Sequence, residues 1–105
     1  NARKIALLGD MLELGDASES GHRATGEWAA DAGVSLLIAY GPHSAAMAEA
    51  AKNRGIATVH CQTAAEVLQY LQQSVRPGDA VLAKASHAMK LDEILADFYA
   101  ALPQA

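Results

Sequence analysis

The sequence is poor in the residues that mark secreted, membrane and nucleic-acid-binding proteins. Cys61 is the single cysteine among 105 residues, so no disulfide can form within the chain, which favours a reducing compartment such as the cytoplasm. The eight Lys and Arg residues are scattered and the formal net charge is −4, which argues against nucleic acid as a partner. No apolar run approaches the roughly 20 residues of a membrane-spanning helix, so no membrane partner is expected either.

Aromatic residues are also scarce. They make up 5% of the chain, whereas hydrophobic residues make up 51%, so the core is expected to consist mostly of Ala and Leu. A length of 105 residues fits a single domain over residues 1–105. Asn1 is not an initiator methionine and the first apolar run follows it almost at once, so we expect a piece cut from a longer protein.

Four short apolar runs recur along the chain, and each has the length of a strand. They cover residues 4–8, 34–40, 56–60 and 79–85. Because they are continuous rather than alternating, they are typical of strands buried on both faces. A helical pattern follows each run. The order β-α-β-α-β-α-β-α predicts an α/β fold, a Rossmann-like, mostly parallel four-stranded sheet with helices on both faces.

The predicted helices have apolar faces and recognisable ends. The faces comprise Thr25, Trp28, Ala29 and Ala32; Ala46, Met47, Ala50 and Ala51; Ala64, Leu68, Leu71 and Val75; and Leu91, Ile94, Leu95, Phe98 and Leu102. Gly33 is predicted to end the first helix as its C′ residue, and the second ends before Gly55. Thr63 and Glu66 have the spacing of a capping box at the start of the third helix.

Polar residues collect where each predicted strand ends. They are Asp10 and Glu13 with His22 after the first strand, His43 and Ser44 after the second, His60 and Gln62 at the third, and Lys84, Ser86 and His87 after the fourth. Ligands of parallel α/β sheets bind at this carboxyl edge, so the candidate site is expected there. Two alternatives stay open: Asp10 and Glu13 could cap turns rather than contact a ligand, and His22 could be a packed, hydrogen-bonded histidine.

Several familiar sites are excluded or disfavoured by the spacing of these residues. The glycines of LLGDMLELG (residues 7–15) are six apart with acidic residues between them, and no P-loop sequence occurs, so no phosphate-cradling turn is expected. A receiver domain would need a carboxylate after the third strand, where His60 and Cys61 stand instead. The histidines lack metal-ligand spacing. Cys61 is better explained as a buried thiol than as a nucleophile, because adjacent strand residues face opposite ways.

Two segments resemble the C-terminal domain of Mur ligases, in particular of the member that adds D-alanyl-D-alanine. Residues 7–33, LLGDMLELGDASESGHRATGEWAADAG, resemble the family's G-D-M-x-E-L-G, S-E-x-x-H and G-E-x-A sequences. Residues 81–95, VLAKASHAMKLDEIL, resemble its last-strand motif V-K-G-S-R, with Lys84, Ser86 and Met89 matching. Ala85 replaces the usual Gly and His87 the usual Arg, which puts an arginine-dependent contact in doubt.

This resemblance implies a cytoplasmic, ATP-dependent ligase of peptidoglycan precursor synthesis, acting on UDP-N-acetylmuramoyl-tripeptide and D-alanyl-D-alanine. ATP and Mg²⁺ would bind mainly in a central domain outside this chain, and the D-x-Y-N-A-N-P motif that usually opens the domain is missing. The chain would be the larger part of the substrate-presenting domain, with no catalytic or metal-binding residue of its own, and inactive alone. The substrate-binding residues expected from the resemblance and the chemistry are Asp10, Met11, Glu13, His22, Lys84, Ser86 and His87.

Two other functions stay open. A stand-alone α/β module that binds a small molecule would share the fold through ancestry only. A related ligase would use the same domain with another amine, although the G-D-M-x-E-L-G sequence at residues 9–15 argues against this.

Overall fold

The computed structural model describes residues 3–11, 18–85 and 91–100, and within them strands and helices alternate. The strands are β1 (Lys4–Gly9), β2 (Leu36–Tyr40), β3 (Ala57–Cys61) and β4 (Ala80–Lys84). The helices are α1 (Ser18–Asp31), α2 (Ala45–Asn53), α3 (Ala64–Ser74) and α4 (Leu91–Ala100), and a short 3-10 turn (Pro42–Ser44) precedes α2. The predicted alternation is confirmed, and the observed strands differ from the predicted runs by one or two residues at their ends.

The four strands form one parallel sheet in the order β3-β2-β1-β4. The chain steps outward from β1 to β2 and β3, and then returns to place β4 on the other side of β1. Helices α1 and α2 pack together on one face of the sheet, and α3 and α4 pack on the other. The carboxyl ends of β1 and β4 therefore adjoin at a topological switch point, the usual ligand position of such sheets.

Alternate residues of the central strands supply the two cores. Ala6 and Leu8 of β1 pack with Leu37 and Ala39 under α1 and α2, where Ala29 and Met47 complete the cluster. The larger cluster on the opposite face comprises Ile5, Leu7, Ile38, Cys61, Val67, Leu71, Leu91, Ile94 and Phe98. Burial on both faces explains why the inner strands β1 and β2 are continuously apolar. The expectation of burial on both faces is wrong for the edge strand β4, where Leu82 is exposed, and holds for β3 only at Cys61.

The predicted helix ends are confirmed. Gly33 follows α1 with φ +82°, and the amides of Gly33 and Val34 donate to the carbonyls of Ala30 and Ala29, which is the Schellman pattern. Thr63 and Glu66 form both halves of the capping box at the start of α3. These features depend on residues a few positions apart, so their sequence signals are reliable.

Two of the predicted helix faces need correction. Trp28 was expected on the buried face of α1 but is 51% exposed, because that helix packs through His22, Gly26 and Ala29. A helix turns about 100° per residue, so Trp28 lies well to the side of this buried line. In α3 the fully buried residues are Val67 and Leu71, whereas the predicted Ala64 is exposed. Leu102 lies outside the described residues.

Candidate functional site

The carboxyl edge of the sheet brings together residues from all four strand ends. Asp10 and Met11 follow β1, the Gly41–Ser44 segment follows β2, His60 and Cys61 end β3, and Lys84 ends β4. The structure therefore places these residues at one edge of the sheet, and the binding of a ligand there remains a prediction. Their contacts show two classes of residue: buried residues that hold the loops at this edge together, and exposed residues at its surface.

Asp10 is a buried structural acceptor. Its side chain is 1% exposed, and its two carboxylate oxygens accept hydrogen bonds from the amide of His43 (3.1 Å) and the hydroxyl of Ser44 (2.7 Å). These donors belong to the turn that opens α2, where a negative charge also complements the helix dipole. Both oxygens are thus engaged within the domain, which favours the capping alternative for Asp10 over contact with a substrate.

Gly41 is the backbone junction beneath this carboxylate. Its φ of +112° and ψ of 161° lie in a region that is essentially restricted to glycine. A β-carbon at this position would lie 2.5 Å from the Asp10 carboxylate. The Gly41 amide donates to the Cys61 carbonyl (2.9 Å), and the Gly41 carbonyl lies 2.6 Å from Nε2 of His60. The ends of β1, β2 and β3 are therefore joined through this one residue.

His22 is buried and faces the first loop from α1. Its side chain is 0% exposed, and its Nε2 accepts a hydrogen bond of 2.9 Å from the Met11 amide. Its ring centroid lies 6.3 Å from that of His43. The geometry matches the packed, hydrogen-bonded alternative for His22.

Met11 and Lys84 share a surface cavity between the ends of β1 and β4. The cavity has a volume of about 290 Å³ and lies at the topological switch point. It is lined by Leu8, Gly9, Met11, Ala24, Thr25, Trp28, Leu82 and Lys84. The side chain of Lys84 is exposed at this edge. None of the ion pairs formed by the described residues involves Lys84.

Three predicted site residues, Glu13, Ser86 and His87, lie outside the described residues. Their assignment to the site remains a prediction. Within the described ranges, no group of three or more His, Cys, Asp or Glu side chains is arranged to hold a metal ion. None of the helices in the described part of the chain is long and apolar enough to cross a membrane.

Cys61 is a core residue at the end of β3. Burial, with a smaller contribution from the charge of Glu66, raises the pKa of its thiol to about 11. The thiol is therefore protonated at neutral pH, and only the thiolate is a good nucleophile. The neighbouring His60 is hydrogen-bonded to Gly41, so the pair does not form a nucleophile and base.

The roles of Gly41 and Gly26 in packing are not predicted by the sequence patterns, although Gly26 belongs to the G-E-x-A match. The available signal for Gly41 was the Gly-Pro pair that directly follows a predicted strand. Gly26 stands inside α1, where an added β-carbon would lie 2.2 Å from the Met47 carbonyl oxygen of α2. The sequence indicates the role of Gly26 less clearly, since a glycine within a helical pattern can have several causes.

Comparison with known proteins decides the family. The sequence profile described as "Mur ligase, glutamate ligase domain" matches residues 1–87, which include all four strands and the whole described carboxyl edge. The chain belongs to the Mur ligase family.

Curated relatives of this Mur ligase domain share one name. The UDP-N-acetylmuramoyl-tripeptide–D-alanyl-D-alanine ligase of Bacillus subtilis (strain 168) is 36% identical over 100 residues, covering 90% of this chain and 21% of that protein. The protein of the same name from Mycobacterium leprae is 38% identical over 96 residues, covering 85% and 18%. The Mur ligase domain thus spans about a fifth of the length of these relatives.

A solved structure also matches the Mur ligase domain. MurF from Acinetobacter baumannii superimposes with a TM-score of 0.80 and 29% sequence identity, covering 93% of this chain and 22% of that chain. A second crystal structure of the same protein gives a TM-score of 0.75. The α/β fold predicted from the sequence agrees with both.

Proposed function

We propose that this Mur ligase domain is the C-terminal domain of the cytoplasmic ligase that adds D-alanyl-D-alanine to UDP-N-acetylmuramoyl-tripeptide. It closes over an ATP site built by a central domain and presents the incoming dipeptide. The main support for a role in presenting the dipeptide is the cavity that Met11 and Lys84 line at the switch point of the sheet. The names of the curated relatives support the choice of substrates.

The chemistry of the dipeptide fits the surface of this cavity. D-alanyl-D-alanine carries a carboxylate, an ammonium group and two methyl groups. The exposed ammonium of Lys84 suits the carboxylate, because charge-assisted hydrogen bonds are the strong ones. Leu8, Met11 and Leu82 offer apolar walls for the methyl groups.

The dipeptide's ammonium group needs an acceptor that has free oxygens. Asp10 does not suit this role, because it is 1% exposed and its carboxylate oxygens accept hydrogen bonds within the domain. Among the carboxylates predicted for the first loop, Glu13 is therefore the one we assign to the amine. Ser86 and His87 are assigned to the carboxylate beside Lys84.

The described residues of this chain offer no main binding site for ATP or Mg²⁺. The sequence contains no P-loop, and the buried carboxylate of Asp10 is engaged by His43 and Ser44. We therefore assign both to the part of the ligase beyond this chain. The domain contributes binding and orientation of the amine, and no bond-making step is assigned to its own residues.

Substrate dependence of the longer ligase that contains this domain tests the proposal. We expect release of ADP and phosphate only when UDP-N-acetylmuramoyl-tripeptide and D-alanyl-D-alanine are both present, with a product heavier by the mass of the dipeptide less one water in mass spectrometry. The 105-residue chain alone is expected to turn over no ATP.

Other outcomes of this assay would contradict the proposal. Efficient turnover with a single amino acid in place of the dipeptide would indicate the related-ligase alternative. Absence of any ATP-dependent ligation, together with binding of a small molecule by the 105-residue chain alone, would indicate a stand-alone module.

A further inference from the structure

The backbone of Met11 is held from both sides by buried groups that touch no part of the cavity. On one side, Nε2 of His22 accepts the Met11 amide proton at 2.9 Å. On the other, the adjoining Asp10 donates its own amide to the Tyr40 carbonyl (3.0 Å) and holds the α2 turn through its carboxylate. Met11 then lines the same cavity as Lys84.

The hydrogen bond identifies the form of the His22 ring. A backbone N–H can only donate, so Nε2 must carry a lone pair and the imidazole must be neutral, with its proton on Nδ1. The Met11 amide is partly buried, and losing its acceptor is unfavourable, so Met11 would move to find another partner. The position of Met11 therefore depends on the tautomer and the side-chain length of His22.

We propose that His22 is a positioning residue for the amine substrate: its neutral, Nδ1-protonated ring fixes the Met11 backbone and so positions Met11 in the cavity that Lys84 also lines. This role rests on the proposed function, and it replaces the direct substrate contact expected for His22. Because His22 is 0% exposed and lies beneath Met11, it acts on substrate through that residue.

Two substitutions of nearly equal size test this role in the longer ligase. His22→Gln retains a side-chain oxygen that can accept the Met11 amide, whereas His22→Leu fills a similar volume with no acceptor. We expect His22→Leu to raise KM for the amine about tenfold, with kcat and KM for ATP changed less than about twofold. His22→Gln should restore KM to within about threefold of the unaltered ligase. Asp31→Asn, an exposed change at the far end of α1, is the matched control and should alter nothing.

Equal KM values for the Gln and Leu variants would overturn the proposal, as would a loss confined to kcat or to KM for ATP. KM is to be measured with whichever amine the ligase uses, so a wrong substrate assignment leaves the comparison intact.

The tautomer is tested separately in the unaltered 105-residue chain. We expect long-range ¹H–¹⁵N spectra at pH 7 to show His22 with Nδ1 protonated and Nε2 unprotonated. Protonation at Nε2 would exclude the hydrogen bond from the Met11 amide and would overturn the proposal. This measurement requires no enzymatic activity and no variant, so it decides the question even if His22→Leu does not fold.

Discussion

Replacing Gly41 with alanine is expected to reduce the free energy of unfolding by about 3 kcal/mol. This loss combines the energy of a backbone conformation that only glycine adopts readily with the energy of a steric clash. The φ of +112° is unfavourable for any residue with a β-carbon. That β-carbon would also lie 2.5 Å from the buried Asp10 carboxylate, which cannot retreat without losing its bonds to His43 and Ser44. Urea unfolding followed by circular dichroism measures the loss.

Gly55→Ala provides the matched control for this experiment. Gly55 has a comparable positive φ of +88°, but among the described residues other than its two chain neighbours no atom lies within 4 Å of the position that its β-carbon would occupy. We expect Gly55→Ala to reduce the free energy of unfolding by about 1 kcal/mol, through the unfavourable backbone conformation alone. Equal losses of unfolding free energy in the two variants would contradict a steric clash between the added β-carbon and the Asp10 carboxylate in the Gly41→Ala variant.

Gly26→Ala is expected to destabilise the domain by about 2 kcal/mol or more, even though alanine is the better helix former. The added β-carbon would lie 2.2 Å from the carbonyl oxygen of Met47 and 3.0 Å from its carbonyl carbon. These are backbone atoms of α2, so relief requires the two helices to separate. Separation would loosen the core that Ala29 and Met47 form beneath them.

The exposed residue Ala24 in the same helix calibrates the Gly26 experiment. Ala24→Gly makes the reverse exchange and should cost about 1 kcal/mol through helix propensity alone. The unfolding free energies of both variants are measured by the same urea titration. A Gly26→Ala variant that is more stable than the unaltered chain would contradict the close approach of α1 and α2.

The local features of the fold could be predicted because their determinants are close in sequence. The capping box of Thr63 and Glu66 spans three residues, and Gly33 and Gly55 end helices through bonds to the preceding turn. The continuous apolar runs predicted the inner strands β1 and β2 for a similar reason, since burial on both faces requires an apolar side chain at each position. The fold class followed from their alternation with helices.

The role of Asp10 could not be derived from the sequence. Its partner Ser44 is 34 residues away, and only the pairing of β1 with β2 brings the two together. The candidate edge was therefore predictable, but not the division between groups that build it and groups that face a ligand. For Trp28, helical periodicity indicated an apolar stripe without showing which part of it the sheet would cover.

We propose that the carboxyl edge between β1 and β4 binds the incoming dipeptide, and Lys84 is an exposed charged residue at that edge. The most direct measurement is KM for D-alanyl-D-alanine in the longer ligase carrying Lys84→Ala. We expect KM for the dipeptide to rise about tenfold to a hundredfold, because one hydrogen bond to a charged group is lost. KM for ATP should be unchanged.

Two further variants complete the measurement. Lys84→Arg keeps the charge and should lose much less affinity for the dipeptide than Lys84→Ala. Lys52→Ala removes an exposed lysine at the end of α2, away from the cavity, and should leave both KM values unchanged. A Lys84→Ala ligase with unchanged KM for D-alanyl-D-alanine, or with its loss confined to ATP, would contradict the account.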